Sequence, residues 1–190
     1  MGPLSIEQLK TALDRGGLQR SHLYDVVIAK GFSDHMFNQA LLAADFDPNS
    51  YIFDDELSIR TKTVALPTQT IATNPIKVNG MDYEHPYQMN YEGDISFTFM
   101  LDEGSKLRDV FVNWMNNIYS SRGKYAYRRQ YATKIQIRML NSIGEPKAAY
   151  NIEEAFPKTI SQTELNGETP GLSEFTVTFS YRYFNKTNEH

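Results

Sequence analysis

The sequence predicts a mainly β fold of antiparallel strands with one central α-helix. Two segments, over 94–101 and 174–184, alternate between apolar and polar residues, which is the pattern of strands with one buried face. Between them, apolar residues recur every three or four positions over 105–119, as in an amphipathic helix. A helix with one wide apolar face that follows a run of strands is expected to pack across a sheet. We therefore expect Trp114 to be buried between this helix and a sheet, with Phe97 or Phe99 among its neighbours.

Length and composition limit the class of protein. The chain has 190 residues, and we assign residues 1–190 to a single domain. Hydrophobic residues make up 41% and charged residues 22%, which excludes a disordered chain. The absence of cysteine excludes disulfide scaffolds, thiolate zinc sites and cysteine nucleophiles. No membrane segment is expected, because the longest aliphatic run, residues 40–44, is far shorter than the roughly 20 residues that cross a bilayer.

The first 20 residues predict an N-terminal helical arm. Ser5 and Gln8 have the spacing of a capping box, and Gly16-Gly17 is a typical helix end. Because a lone helix of this length is marginal in water, its apolar stripe needs a surface on which to bury. The members of that stripe are Ile6, Leu9, Ala12 and Leu13.

The following segments alternate between predicted strands, helices and loops. We predict a strand over 22–29, a helix over about 34–44 and a polar loop over 45–55. From Leu57 the residues alternate with a period of two, which predicts a strand that ends before Pro67. Asn79-Gly80 is a strong hairpin signal after a weaker strand over 71–78. The final strands are expected at 133–140, around 148–152 with 159–165, and at 174–184.

Charge is distributed unevenly along the chain. The formal net charge is −4, yet no Asp or Glu occurs over 110–144. Within that stretch, the basic segment 122–131 interleaves cations with Tyr125, Tyr127 and Tyr131. Such a segment is typical of nucleic-acid contact, but on an acidic body it fits better a loop that docks on an acidic neighbour.

No catalytic, cofactor or metal site is predicted. Residues 45–56 place oxygen ligands with the spacing of an EF-hand calcium loop, but Ser50 replaces its glycine and no second helix is predicted, so an acidic loop is favoured. The four histidines are scattered, and neither a nucleophile elbow nor a phosphate-binding glycine loop occurs. The sequence therefore argues against an enzyme.

Several local motifs, in this order, resemble a known family. They are residues 18–26 (LQRSHLYDV), residues 63–67 (TVALP), residues 95–99 (ISFTF) ahead of the helix with Trp114, and an Ala155-Phe156-Pro157 turn ahead of the closing strand over 175–183. The order is similar to that in the tail tube proteins of contractile-tail bacteriophages, which are related to the tube proteins of contractile injection systems. The resemblance covers residues 1–30 and 56–184, and residues 31–55 are a probable insertion.

The resemblance implies a structural virion protein. It implies a β-sandwich or half-barrel with one packed helix, six copies of which form a ring whose inner strands join into a continuous barrel. Rings stack into the rigid inner tail tube, assembled in the host cytoplasm, through which genomic DNA reaches the host without sequence-specific binding. Sheath, baseplate and tail terminator proteins are the implied partners. The alternatives are a baseplate ring that initiates the tube and a ligand-binding β-sandwich module.

Six residues are the candidates for subunit contacts. The arm contributes its apolar stripe, which the resemblance directs to a neighbouring ring or subunit. The basic segment contributes cations and an aromatic ring. The candidates are Ile6, Leu9, Leu13, Arg128, Arg129 and Tyr131.

Overall fold

The predicted fold class is confirmed by the computed structural model, which describes residues 20–31, 35–91, 93–119, 125–161 and 171–188. All strand pairs among these residues are antiparallel. No described helix is long and apolar enough to span a membrane. The elements are β1 (Tyr24–Ile28), α1 (Met36–Ala43), α2 (Ile52–Arg60), β2 (Thr61–Val64), β3 (Gln69–Val78), β4 (Met81–Tyr91), β5 (Asp94–Met100), α3 (Lys106–Ile118), α4 (Arg128–Tyr131), β6 (Thr133–Leu140), β7 (Pro146–Ile160), β8 (Glu174–Ser180) and β9 (Tyr183–Asn188).

Strand β7 joins two sheets. Its first part pairs with β6 and β9, and β6 pairs in turn with β1; these four strands form sheet 1. Its last part, from Phe156, pairs with β8, and the order continues through β5 to β2; these four strands form sheet 2. Strand β7 leaves sheet 1 near Glu154, which has a φ of 54°. At the same place its register with β6 shifts, opposite Thr133. Because a bulge bends a strand, it lets β7 leave one sheet and enter the other.

The end of the chain differs from the predicted strands in two places. The Ala155-Phe156-Pro157 motif lies inside β7, not in a turn, because the bulge supplies the bend within a continuous strand. The predicted strand over 174–184 is divided at Tyr181 and Arg182, so β8 belongs to sheet 2 and β9 to sheet 1.

Helix α3 covers one face of sheet 2. Phe111 stacks on Phe99, with ring centroids 5.3 Å apart, and lies 5.8 Å from Phe179. Trp114 is fully buried, as predicted, but its ring contacts are Phe37 on α1 and Phe179 on β8. The expected contact with Phe97 or Phe99 is replaced because α1 packs on α3 and brings Phe37 against the indole.

The loop and strand predicted over 45–60 are wrong, because α2 occupies residues 52–60 and β2 begins only at Thr61. Phe53 and Leu57 lie four residues apart and are both fully buried, which is helical spacing. Ile59, predicted on the same strand face as Leu57, is 75% exposed. The probable insertion therefore contributes to the core through Phe53 and, from α1, through Phe37.

Candidate assembly surfaces

A long hairpin, β3–β4, forms a sheet of its own. It turns at Asn79 and Gly80, which both have positive φ, as a two-residue turn of the predicted kind requires. Of its 21 strand residues, only Ala72 and Tyr91 are half-buried, and the others are exposed. In the described part of one chain, Tyr91 at the base of the hairpin meets the Phe184 ring edge to face at 5.5 Å, and the strands beyond it are almost wholly exposed.

The two faces of the hairpin differ in chemistry. The register places Ile76 opposite Tyr83 and Val78 opposite Met81 on one face. The bulge adds a residue to β4 only, so Ile71 and Met89 lie on the other face. We call the first of these surfaces the apolar hairpin face; its members are Ile76, Val78, Met81 and Tyr83, all between 42% and 74% exposed.

Near the turn, the opposite hairpin face is polar. Lys77 pairs with Asp82, with 3.8 Å between Nζ and Oδ1, and the Thr73 hydroxyl donates a hydrogen bond to Glu84. A surface with aliphatic, methionine and tyrosine side chains on one side and charges on the other is typical of an element that docks on a partner. We did not predict this face from the sequence, although its apolar residues alternate with polar ones on both sides of the turn.

Sheet 2 has two unpaired edges. Among the described residues, β2 pairs only with β5, and the part of β7 from Phe156 to Ile160 pairs only with β8. An exposed edge offers a row of free backbone N–H and C=O groups to another strand. Since the two edges lie on opposite sides of the same sheet, strand pairing between copies would extend the sheet in both directions.

The candidate residues Arg128 and Tyr131 lie on α4, a one-turn helix where a loop was predicted, and both contact their own chain. Arg128 pairs with Glu154, 2.7 Å between Nε and Oε2, and lies over the ring of Phe156. The Tyr131 ring meets Phe156 edge to face at 5.2 Å. Two hydrogen bonds hold this turn in place. The Trp114 indole N–H donates to the Tyr131 carbonyl, and the Ala132 N–H donates to the Arg128 carbonyl.

The Glu154 carboxylate joins this turn to the end of β8. Arg182 donates a hydrogen bond to it at 2.7 Å. That hydrogen bond, reinforced by the charges of Arg182 and Arg128, lowers the pKa of Glu154 below its ordinary 4.5. The same contact raises the pKa of the Arg182 guanidinium, so both groups stay ionised at neutral pH.

Arg129 differs from Arg128, because it is exposed and the structure gives it no partner among the described residues. Tyr125 and Tyr127 beside it are 79% and 78% exposed, and the Tyr125 ring packs on Tyr119 at 5.1 Å. A cation with exposed tyrosines fits a protein interface. The other candidates, Ile6, Leu9 and Leu13, lie outside the described residues.

A groove of about 710 Å³ lies where the edges of the two sheets approach each other. Tyr24 of β1 and Thr61 of β2 line it, and the Tyr24 hydroxyl donates a hydrogen bond to the Thr61 carbonyl at 3.1 Å. Burial raises the pKa of Tyr24. The groove therefore marks the seam between β1 and β2, and the Tyr24 hydrogen bond bridges this seam.

Two acidic residues of the calcium-like segment, residues 45–56, form ion pairs. Asp54 pairs with Lys30 at 3.0 Å, and Glu56 pairs with Arg60 one helical turn away. Among the described residues, no group of three or more His, Asp or Glu side chains could hold a metal ion. The histidine His35 has a structural role, because it caps α1. Its Nδ1 accepts a hydrogen bond from the Phe37 N–H, and its Nε2 lies 3.2 Å from the Ala132 carbonyl oxygen.

Comparisons with known proteins place this geometry in a family. The family model described as phage tail tube protein matches residues 19–187. A search of curated protein sequences finds no match. Among solved structures, the chain is similar to one in the extended sheath–tube complex of an extracellular contractile injection system, PVC, with a TM-score of 0.63, 13% identity and coverage of 98% of this chain and 100% of that chain.

A second similar structure is the tube-terminating cap of the anti-feeding prophage, AFP. Its TM-score is 0.62 at 11% identity, with 90% of this chain and 92% of that chain covered. At such identities the likeness shows the fold. The family model covers most of the chain, and its match supports a tube-forming structural role. The chain belongs to the phage tail tube protein family.

Proposed function

We propose that six copies of this chain close into a ring and that rings stack into the inner tube of a contractile tail. The observation that carries this is sheet 2, which among the described residues has an unpaired edge on each side and a helix layer on only one face. Pairing β2 of one copy with β7 of the next satisfies both edges in every subunit, which an open monomer cannot do.

Six copies of the four-stranded sheet 2 give a barrel of about 24 strands. At about 4.8 Å between strands, its circumference is roughly 115 Å and its diameter on the order of 37 Å before tilt. Barrels far smaller than this leave an aqueous channel, so the ring encloses an open passage.

The apolar hairpin face supplies the second contact. Four large side chains exposed on one surface are stabilised when another copy covers them. A hairpin longer than β2, β5 or β8 also reaches beyond its own subunit, since its 11-residue strand spans about 36 Å. The hairpin therefore joins neighbouring subunits of the ring or of the next ring.

The assembled tube delivers genomic DNA to the host from a virion tail built in the host cytoplasm, with sheath, baseplate and tail terminator proteins as partners. This role is structural and includes no catalytic step. The similarity to chains from a sheath–tube complex and from a tube cap supports the choice of partners.

Negative-stain electron microscopy of the purified protein tests the proposal. We expect rings with sixfold symmetry and long hollow tubes. Rings that never stack favour the baseplate initiator, and a monomer at all concentrations contradicts assembly and favours a ligand-binding module.

Arg129→Glu is expected to weaken assembly without changing folding. The side chain is exposed and has no partner among the described residues, so reversing its charge disturbs only a contact with another copy. Sedimentation velocity should show fewer assembled subunits, whereas the Tm of the unassembled protein stays unchanged. Arg129→Lys keeps the charge and should assemble. Normal assembly of Arg129→Glu would show that Arg129 is not part of a subunit interface.

Deleting residues 1–17 is expected to leave a folded protein that no longer forms long tubes. The arm has too little apolar area to be stable alone, and we propose that its stripe buries on a neighbouring ring or subunit. A variant with Ser at positions 6, 9 and 13 should behave in the same way in the full-length chain. Long tubes from the truncated protein, or its failure to fold, would contradict this role.

A further inference from the structure

The face of sheet 2 opposite α3 carries two rows of hydroxyl side chains. In the first row, the hydroxyls of Thr98 and Thr176 are hydrogen-bonded at 3.0 Å, and Thr63 lies opposite Thr98 in the register. In the second row, Ser96 and Thr178 are hydrogen-bonded at 3.1 Å. Thr159 lies opposite Thr178 and completes that row. We call these six residues the hydroxyl face.

An ion pair closes each end of the hydroxyl face. Lys62 pairs with Glu174 beside the first row. Lys158 pairs with Asp94 beside the second row, at 2.7 Å. The two positive and two negative charges on this surface therefore sum to zero, although the whole chain has a formal net charge of −4.

We propose that the hydroxyl face lines the channel of the assembled tube and presents no net charge to the cargo. This rests on the proposed function. A ring with a wide passage must have its helix layer outside, because α3 and α1 on the inner side would take up most of the width of the passage. The opposite face of sheet 2 is then the wall.

The chemistry of the hydroxyl face agrees with that position. Subunit interfaces concentrate aromatic and long apolar side chains at their centre and are poor in Ser, Lys and Glu. Short hydroxyls that are hydrogen-bonded to one another hold a layer of water and offer no apolar surface to which a cargo could adhere. With the charges balanced, attraction and repulsion of a passing polyanion or polycation are both weak.

Single cysteines test the position, since the chain has none of its own. Ser96→Cys places a thiol on the hydroxyl face, and Ala43→Cys places the matched control on the exposed end of α1. In purified tubes, a small maleimide dye should react with both variants. A maleimide coupled to a globular protein should react only with Ala43→Cys. Unassembled subunits of both variants should react with both reagents.

Each other pattern overturns the proposal. Reaction of Ser96→Cys tubes with the protein-sized reagent places the face outside, and protection from both reagents makes it a subunit interface. Thr159→Cys repeats the test at a second position if Ser96→Cys does not assemble. If the unsubstituted chain forms no tubes, the proposed function itself fails, whereas tubes with the wrong labelling pattern overturn only this inference.

Charged thiol reagents test the neutrality. At about 10 mM salt, where the Debye length is about 30 Å, we compare a cationic with an anionic methanethiosulfonate on Ser96→Cys tubes. The ratio of their rates should equal the ratio on unassembled subunits. An acidic channel would shift that ratio toward the cation by about tenfold or more, and this would overturn the neutral wall.

Discussion

Ile76→Lys is expected to abolish tubes while the subunit stays folded. Ile76 belongs to the apolar hairpin face, where it lies opposite Tyr83 and is 42% exposed in one chain. In the free subunit, water solvates the new ammonium group. In the assembly, the same group is buried without a partner, at a cost on the order of 3–5 kcal/mol for each contact. Since each ring repeats the contact, the loss is multiplied along a tube.

Thr73→Lys is the matched control for this result. Thr73 lies three residues before Ile76 on β3 and therefore points to the other face, on which Lys77 lies. The same added charge on that face should leave tubes intact. Electron microscopy counts tubes for both variants, and thermal unfolding of subunits checks that their Tm values agree. Equal assembly of the two variants would show that the apolar hairpin face is not a contact surface.

Trp114→Ala is expected to destabilise the subunit by about 3–5 kcal/mol. The indole is fully buried between Phe37 and Phe179. The substitution leaves a cavity and also removes the donor for the Tyr131 carbonyl, which the indole N–H reaches at 2.9 Å. Urea unfolding followed by circular dichroism measures the loss of free energy.

Trp114→Phe separates the two contributions. It keeps an aromatic ring against its neighbours but cannot donate to Tyr131, and an unsatisfied buried acceptor costs about 1–3 kcal/mol. Its free energy of unfolding should therefore lie between those of the native chain and Trp114→Ala. A cost below about 1 kcal/mol for Trp114→Ala would contradict the structural role of this side chain.

Elements with a strong local pattern were predicted correctly. Strands β5 and β8 alternate over their whole length, and α3 repeats its apolar residues at three and four, so local periodicity was sufficient. Asn79-Gly80 also predicted its turn, because few other residues adopt positive φ at two successive positions.

The segment around α2 shows where local pattern fails. Leu57 and Ile59 alternate like a strand, whereas Phe53 and Leu57 have helical spacing, and a short window does not choose between the two periods. The Phe53 ring meets Phe37 of α1 at 5.6 Å and Phe46 at 5.4 Å. Burial against these distant residues selected the helix.

The antiparallel β class, the central helix and the positions of most strands could be predicted from the sequence, because these depend on spacing within one element. Which face of each strand is covered could not be predicted in this way. The residues of the hydroxyl face and of the apolar hairpin face both alternate as ordinary strands do. A face that alternates in sequence can be buried, exposed to water or available to another copy. Which of these it is depends on non-local pairing and packing, such as the pairing of β7 in two sheets. Local spacing does not encode such contacts.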